Sequence, residues 1–166
     1  MIKLSKDIYA YNGKKKKPTI TVELGDKVLT ASKDYKVSYK NNKNVGTATL
    51  TIKGIGDYNG TVSRTFKIVP KAISLSKISA SGETISVKWK KQTKSVTGYE
   101  IQYSTSKSFT KKTTETVTVA GAKKTKTTIS GLKSGKKYYV RVRTYKVVNG
   151  KKYYSGWSKT KTVKVK

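Results

Sequence analysis

The chain has 166 residues, of which 38 are basic and 8 acidic, so its net charge is +30 near neutral pH. It contains no Cys and no His. Without Cys there are no disulfides, thiol nucleophiles or thiolate metal ligands, and without His the usual general base near neutral pH is missing. We therefore expect no catalytic residue, no cofactor and no metal site.

Strand-forming residues supply most of the apolar content. Tyr, Val, Ile and Thr dominate, and branched and aromatic side chains fit a pleated, half-buried surface. No window sustains the helical period of about 3.6 residues, and no apolar run reaches the length of about 18 residues needed to span a membrane. The sequence predicts an all-β fold without membrane insertion. Met1–Leu4 lacks the apolar stretch of a signal peptide, so an export signal is expected outside this chain.

A boundary is predicted near Pro70. The strand-like run that ends at Ile68 is followed by Pro70, which has no N–H for a strand ladder, and the next apolar run begins at Ile73. The predicted organisation is a first domain over residues 1–69, a short linker at residues 70–71 and a second domain over residues 72–166.

In the first domain, apolar residues alternate within short runs separated by turn signals. The runs are Ile20/Val22/Leu24, Tyr35/Val37/Tyr39 and Thr47/Leu50/Ile52. Gly25-Asp26, Asn41-Asn42 and Asp57 to Gly60 mark the turns between them. Several short strands at this spacing predict an antiparallel β-sandwich.

A run of four lysines, Lys14, Lys15, Lys16 and Lys17, precedes Pro18. One interpretation is an exposed loop or sheet edge. The other is a contact site for teichoic acid or another anionic wall polymer, and such contacts weaken with salt because bound counterions are released.

The second domain shows the same alternation. Its predicted inward-facing sets are Ile85/Val87/Trp89, Tyr99/Ile101/Tyr103, Val117/Val119, Ile129, Tyr138/Val140/Val142 and Val163/Val165. They predict about seven strands around a buried tryptophan, which is enough apolar surface for an independent core.

Three features of this domain resemble a fibronectin type III domain along its whole length. Trp89 lies on the second predicted strand, residues 98–103 read Gly-Tyr-Glu-Ile-Gln-Tyr, and Leu132, Gly135 and Tyr138 have the spacing of a tyrosine corner. The resemblance implies structural roles for these residues, with the Tyr138 phenol bonded to upstream backbone.

Arg141 and Arg143 should point away from this core, since they alternate with Val140 and Val142. Ser155 to Ser158, with Trp157 at its centre, resembles half of the tryptophan-serine motif of cytokine-receptor relatives. If Trp157 lies on a neighbouring strand, both guanidinium groups can stack with it and with Tyr139 in a structural cation–π brace. The alternative is that Trp157 and the adjacent tyrosines form a carbohydrate platform.

The first domain resembles the Ig-like repeats of large clostridial and other Gram-positive surface proteins. The matching segments are Tyr11 to Lys14 with Pro18, Asp34 to Tyr39, Asn41-Asn42, Asn44 to Gly46, Gly54 to Gly60, Phe66 and Ile68. This resemblance implies an exported, multidomain parent located at the cell surface, in which neighbouring domains are the partners and such modules act as spacers or adhesive stalks.

The eight carboxylates are scattered over both domains, and none is expected to be buried. We therefore expect a non-catalytic structural or adhesive module with loose affinity for anionic envelope polymers. One alternative is a glycan-binding accessory module of a secreted hydrolase. Another is charge-driven nucleic-acid binding, but only three of the 38 basic residues are Arg, the side chain best suited to bidentate contacts with phosphates and bases.

Overall fold

The computed structural model describes residues 1–166, which divide into two compact units, Met1–Val69 and Pro70–Lys166. The regular structure consists of strands alone, so the predicted all-β fold is confirmed. None of the chain forms a helix suited in length and polarity to crossing a membrane.

The first unit contains two sheets. Its strands are β1 (Ile2–Leu4), β2 (Ile8–Ala10), β3 (Ile20–Leu24), β4 (Lys27–Leu29), β5 (Tyr35–Lys40), β6 (Gly46–Gly54) and β7 (Thr61–Val69). One sheet has the order β1-β3-β4 and the other β2-β7-β6-β5. Every ladder is antiparallel except that between β2 and β7, which is parallel. This parallel pair departs from the predicted antiparallel sandwich, because the chain leaves the first sheet after β1 and joins the second through β2.

The core of the first unit follows the two-residue period of its strands. The buried apolar residues are Ile2, Val22, Tyr35, Ala48, Leu50, Ile52, Phe66 and Ile68. On β6 the inward series starts at Ala48, whereas Thr47 is exposed, so Thr47 was wrongly grouped with Leu50 and Ile52. Leu24, also predicted on an apolar face, is 61% exposed at the end of its strand.

The second unit contains eight strands. They are β8 (Leu75–Ser81), β9 (Thr84–Trp89), β10 (Gly98–Ser104), β11 (Thr114–Ala120), β12 (Lys126–Ile129), β13 (Lys137–Val148), β14 (Lys151–Tyr154) and β15 (Lys161–Lys164). One sheet has the order β12-β9-β8. In the other, β11, β10, β13 and β14 lie side by side, and β15 pairs with the first part of β13. The strand beyond the predicted seven is β14, since β14 and β15 share one edge of the long β13.

The two sheets of the second unit enclose a larger core. Its buried members are Leu75, Ile85, Val87, Trp89, Val96, Tyr99, Ile101, Ile129, Leu132, Tyr138, Val140, Val142 and Val165. Buried polar groups within it are satisfied: the Trp89 indole N–H donates to the Lys124 carbonyl at 3.0 Å, and the Tyr99 hydroxyl lies 2.6 Å from the Ala122 carbonyl. An indole and a phenol can therefore be buried here without losing hydrogen bonds.

Gly98 begins β10 at a point where the backbone packs closely. A Cβ at this position would lie 2.4 Å from the Val119 carbonyl oxygen and 2.8 Å from the Tyr145 ring. By contrast, a Cβ on Gly156 would meet nothing within 4 Å, and neither glycine has a positive φ.

We expect Gly98→Ala to destabilise the second unit by about 1 to 3 kcal/mol, since a backbone carbonyl cannot move aside cheaply. The matched change Gly156→Ala should alter stability by less than about 0.5 kcal/mol. Urea unfolding followed by tryptophan fluorescence measures the effect in this unit specifically, since both tryptophans, Trp89 and Trp157, belong to it. Equal stability of the two variants would contradict the close packing at Gly98.

Candidate functional site

The outer face of the five-stranded sheet carries a stack of alternating aromatic and guanidinium groups. Arg141 lies between two rings, with its guanidinium carbon 3.9 Å from the centroid of Phe109 and 4.7 Å from that of Trp157. Arg143 lies 4.3 Å from Trp157 on the other side and 3.8 Å from Tyr154. The order Phe109, Arg141, Trp157, Arg143, Tyr154 thus gives each cation two aromatic neighbours.

Two serines place Trp157 between the arginines. The Ser155 N–H donates to the Thr144 carbonyl, and the Ser155 hydroxyl accepts from the Thr144 N–H, each at 3.0 Å. Ser158 makes the same pair of bonds with Val142, at 2.8 and 3.0 Å. Ser155 and Ser158 belong to the segment that connects β14 to β15. Their bonds hold this segment beside β13, in the place where that edge of β13 has no regular strand partner.

Acceptors on β10 hold the edges of both guanidinium groups. Arg141 donates from Nε and Nη2 to the Gln102 side-chain oxygen at 2.9 and 2.6 Å. Arg143 donates from the same two atoms to Glu100 at 3.0 and 2.7 Å. The Glu100 side chain is only 7% exposed, so the expectation that no carboxylate is buried was wrong. A carboxyl group can be buried there because the Arg143 guanidinium pairs with it through two hydrogen bonds.

Burial and charge shift two pKa values in this stack. The pKa of Arg141 is lowered, first by burial and second by the positive charge of Arg143. The pKa of Tyr154 is raised, first by burial and then by the charge of Glu100 and its hydrogen bond with the phenol. Both shifts reflect how closely the groups are packed.

The structure brings together Arg141, Arg143 and Trp157, the three residues proposed as a cation–π brace. Tyr139 is not in the stack; its ring instead lies near the Lys137 ammonium, at 5.5 Å. Sequence reasoning missed Phe109 and Tyr154 as its outer rings. Phe109 sits in a loop at φ 52°, in the left-handed region that bulky residues rarely adopt, and no sequence pattern indicates that conformation.

The tyrosine-corner residues lie together at the β12–β13 turn. The Tyr138 hydroxyl accepts from the Lys133 N–H at 3.1 Å, and Leu132 is buried in the core beside it. Gly135 has φ +73° and donates its N–H to the Val165 carbonyl at 3.0 Å. These bonds connect the turn to the end of the chain and give it a structural role.

The four-lysine run lies in the loop between β2 and β3, where its members differ. Lys14, Lys15 and Lys17 are exposed, whereas Lys16 is half-buried and its ammonium donates to the Asn12 side chain at 2.6 Å. The Lys16 backbone also exchanges two bonds with Asn42. The loop is therefore anchored at Lys16, and three ammonium groups remain on its surface.

No group of three or more acidic side chains comes close enough to hold a metal ion. The first unit has a cavity of about 330 Å³, lined mainly by apolar side chains. Its two carboxylates serve the fold, because Asp34 accepts from the Thr30 N–H at 2.7 Å and Glu23 pairs with Lys3 at 2.8 Å.

Comparison with solved structures finds the same architecture elsewhere. The chain is similar to the chicken CNTN1 FN1-FN3 domains, with a TM-score of 0.51 and 17% identity over 96% of this chain and 65% of that one. It thus spans about two thirds of the chicken chain. It is also similar to the fn3 domain of human contactin 1, with a TM-score of 0.51 and 17% identity over 68% of this chain and 92% of that one. At such identities the likeness concerns the fold.

The geometry of the second unit is that of a β-sandwich module with a buried Trp89 and a tyrosine corner. The family profile of the fibronectin type III domain matches residues 69–161. The chain therefore belongs to the fibronectin type III family, whose domains typically serve as structural or adhesive modules of multidomain proteins. No curated protein matches the chain.

We expect Trp157→Leu to destabilise the second unit by about 2 to 4 kcal/mol, because it removes the ring between two cations and leaves them facing each other. The loss should shrink as salt is added, since salt screens their repulsion. Urea unfolding at low and high salt, read from Trp89 fluorescence, tests both points. Tyr139→Leu, which removes the ring beside the exposed Lys137 ammonium, is the control and should cost less than about 1 kcal/mol. Equal losses would contradict the bracing role.

We also expect Tyr154 to release its proton late in an alkaline titration. A folded-state pKa above the unfolded value of about 10 stabilises the fold fully below that pH, and this stabilisation is lost as the pH rises through the raised pKa. Phenolate absorbance of the folded protein measures the titration, and Tyr154→Phe should remove one late-titrating group. If Tyr154→Phe instead removed a tyrosine that titrates near the usual pKa, the result would contradict the burial of this phenol.

Proposed function

We propose that this chain is a non-catalytic spacer and adhesive segment of a longer, exported cell-surface protein. Neighbouring domains of that protein are its partners, and anionic polymers of the cell envelope are held by loose electrostatic contacts. The observation that carries the proposal is the combination of two self-contained cores with a surface of lysines, all but Lys3 without an acidic partner.

The charge distribution supports the adhesive part of this role. Residues 1–69 carry 14 basic and 5 acidic side chains, and residues 70–166 carry 24 and 3. Only two ion pairs are present, Lys3 with Glu23 and Arg143 with Glu100. Nearly all the lysine charge therefore faces solvent unpaired, and it attracts polyanions to an extent that depends on ionic strength.

The two alternatives find less support. A carbohydrate platform needs an open aromatic face, but both faces of Trp157 are near guanidinium groups and Tyr154 lies against Arg143. A nucleic-acid reader needs arginines that are free to fork onto phosphates or bases. Two of the three arginines, Arg141 and Arg143, already donate to Gln102 and Glu100, so that only Arg64 is available for such contacts.

Binding across a salt series tests the proposal. The intact chain is mixed with purified Gram-positive cell walls, a neutral polysaccharide and duplex DNA, from low to physiological salt. We expect binding to walls that falls steeply with salt, with no retention on the neutral glycan. Sequence-preferring DNA binding that survives physiological salt would refute the spacer role, and salt-resistant retention on the neutral glycan would favour the accessory-module alternative.

A further inference from the structure

The three-stranded sheet of the second unit carries a row of lysines across its outer face. Lys88 on the central strand β9 lies directly opposite Lys126 of β12 on one side and Lys77 of β8 on the other. All three are exposed, and they alternate with core residues such as Val87. Since adjacent strands lie about 4.8 Å apart, the three side chains start within about 10 Å of one another.

A fourth ammonium group borders the row. The β8–β9 register shifts between Leu75 and Lys77, and at this irregularity Lys161 of β15 donates its ammonium to the Ser76 carbonyl at 2.9 Å. The Lys161 ammonium therefore lies beside the residue that precedes Lys77.

Acidic and aromatic side chains are missing from this face. The next row contains only hydroxyls, with Ser86 directly opposite Ser79 and Thr128. The nearest carboxylate along β9 is Glu83, in the turn at the far end of the strand, about 17 Å away at the rise of an extended chain. The face thus offers ammonium groups and hydroxyl donors to a ligand, and nothing that stacks.

Directly opposed like charges destabilise a sheet, so this row opposes folding in the free protein. A similar arrangement recurs in the first unit. Lys36 lies opposite Lys53, and the next row is Ser38, Thr51 and Ser63, with the last two hydroxyls 2.9 Å apart. Opposed lysines beside a row of hydroxyls therefore occur on one sheet of each unit.

We propose that the row Lys77–Lys88–Lys126 is the docking site for a flexible phosphodiester polymer without bases, such as a polyol phosphate chain. The inference rests on the proposed affinity for envelope polymers and assigns it to a surface. Closely spaced phosphates match ammonium groups on adjacent strands, and the neighbouring hydroxyls can donate to phosphate oxygens. A flexible chain can follow the flat sheet, and the lack of aromatic or arginine side chains on this face gives nucleic-acid bases nothing to stack on.

The test compares two charge reversals in the intact chain. Lys88→Glu changes the centre of the row, and Lys107→Glu makes the same charge change at an exposed position in the β10–β11 loop. Binding of poly(glycerol phosphate) is measured by calorimetry across a salt series, with duplex DNA at equal phosphate concentration as comparison. Lys88→Glu should weaken polymer binding about tenfold and lower the salt slope by about one or more, whereas Lys107→Glu should weaken it less than about twofold.

Stability separates lost binding from misfolding. Lys88→Glu places a carboxylate between two lysines, so the second unit should melt about 2 to 4 °C higher at low salt.

Equal losses of binding in the two variants would overturn the docking site while leaving a general polyanion affinity intact. Tighter binding of DNA through Lys88 would overturn the choice of polymer. Absence of binding to any polyanion by the unaltered chain would refute the proposed function as well.

Discussion

Electrostatic self-repulsion is the constraint to which the rest of this structure is adapted. A net charge of +30 on 166 residues raises the free energy of every compact state. All lysines except Lys16 and Lys146 are exposed, where water and salt screen them, and the two cores offset the remaining repulsion by burying alternate residues of each strand. Two of the four partly buried cations, Arg141 and Arg143, lie between aromatic rings and donate to Gln102 and Glu100.

The two outer faces of the second unit therefore treat positive charge in opposite ways. On the five-stranded sheet, Arg143 has a carboxylate partner and two aromatic neighbours, so that its guanidinium group has few free positions for a ligand. On the three-stranded sheet, Lys88 faces only other lysines across the strands. The first face contributes to the stability of the sandwich. The positive charges of the second face have no acidic partner and can attract an anion. In the proposed assignment, the five-stranded sheet braces the domain and the three-stranded sheet binds the polymer.

Sequence reasoning succeeded where the information is local. Alternation predicted the strands, and the position of Trp89 with the spacing around Tyr138 indicated the fibronectin type III fold before any pairing was known. Register is not local: that Glu100 lies opposite Arg143, or Lys88 opposite Lys126, depends on how distant strands align. A buried carboxylate was therefore missed. Phe109 was missed because it contacts Arg141 from a loop in which its own backbone is left-handed, a conformation that no simple sequence pattern indicates.

The parallel ladder between β2 and β7 in the first unit has a mechanical consequence. Its residues, Ile8–Ala10 and Lys67–Val69, lie near the two ends of that unit and run in the same direction. A force that pulls the ends of the unit apart therefore acts along both strands in opposite senses and loads their backbone hydrogen bonds in shear. Bonds loaded in this way must break together, whereas antiparallel hairpins open one bond at a time. A unit in which strands near its two ends pair in parallel should therefore need a larger force to unfold than one in which such strands form a hairpin.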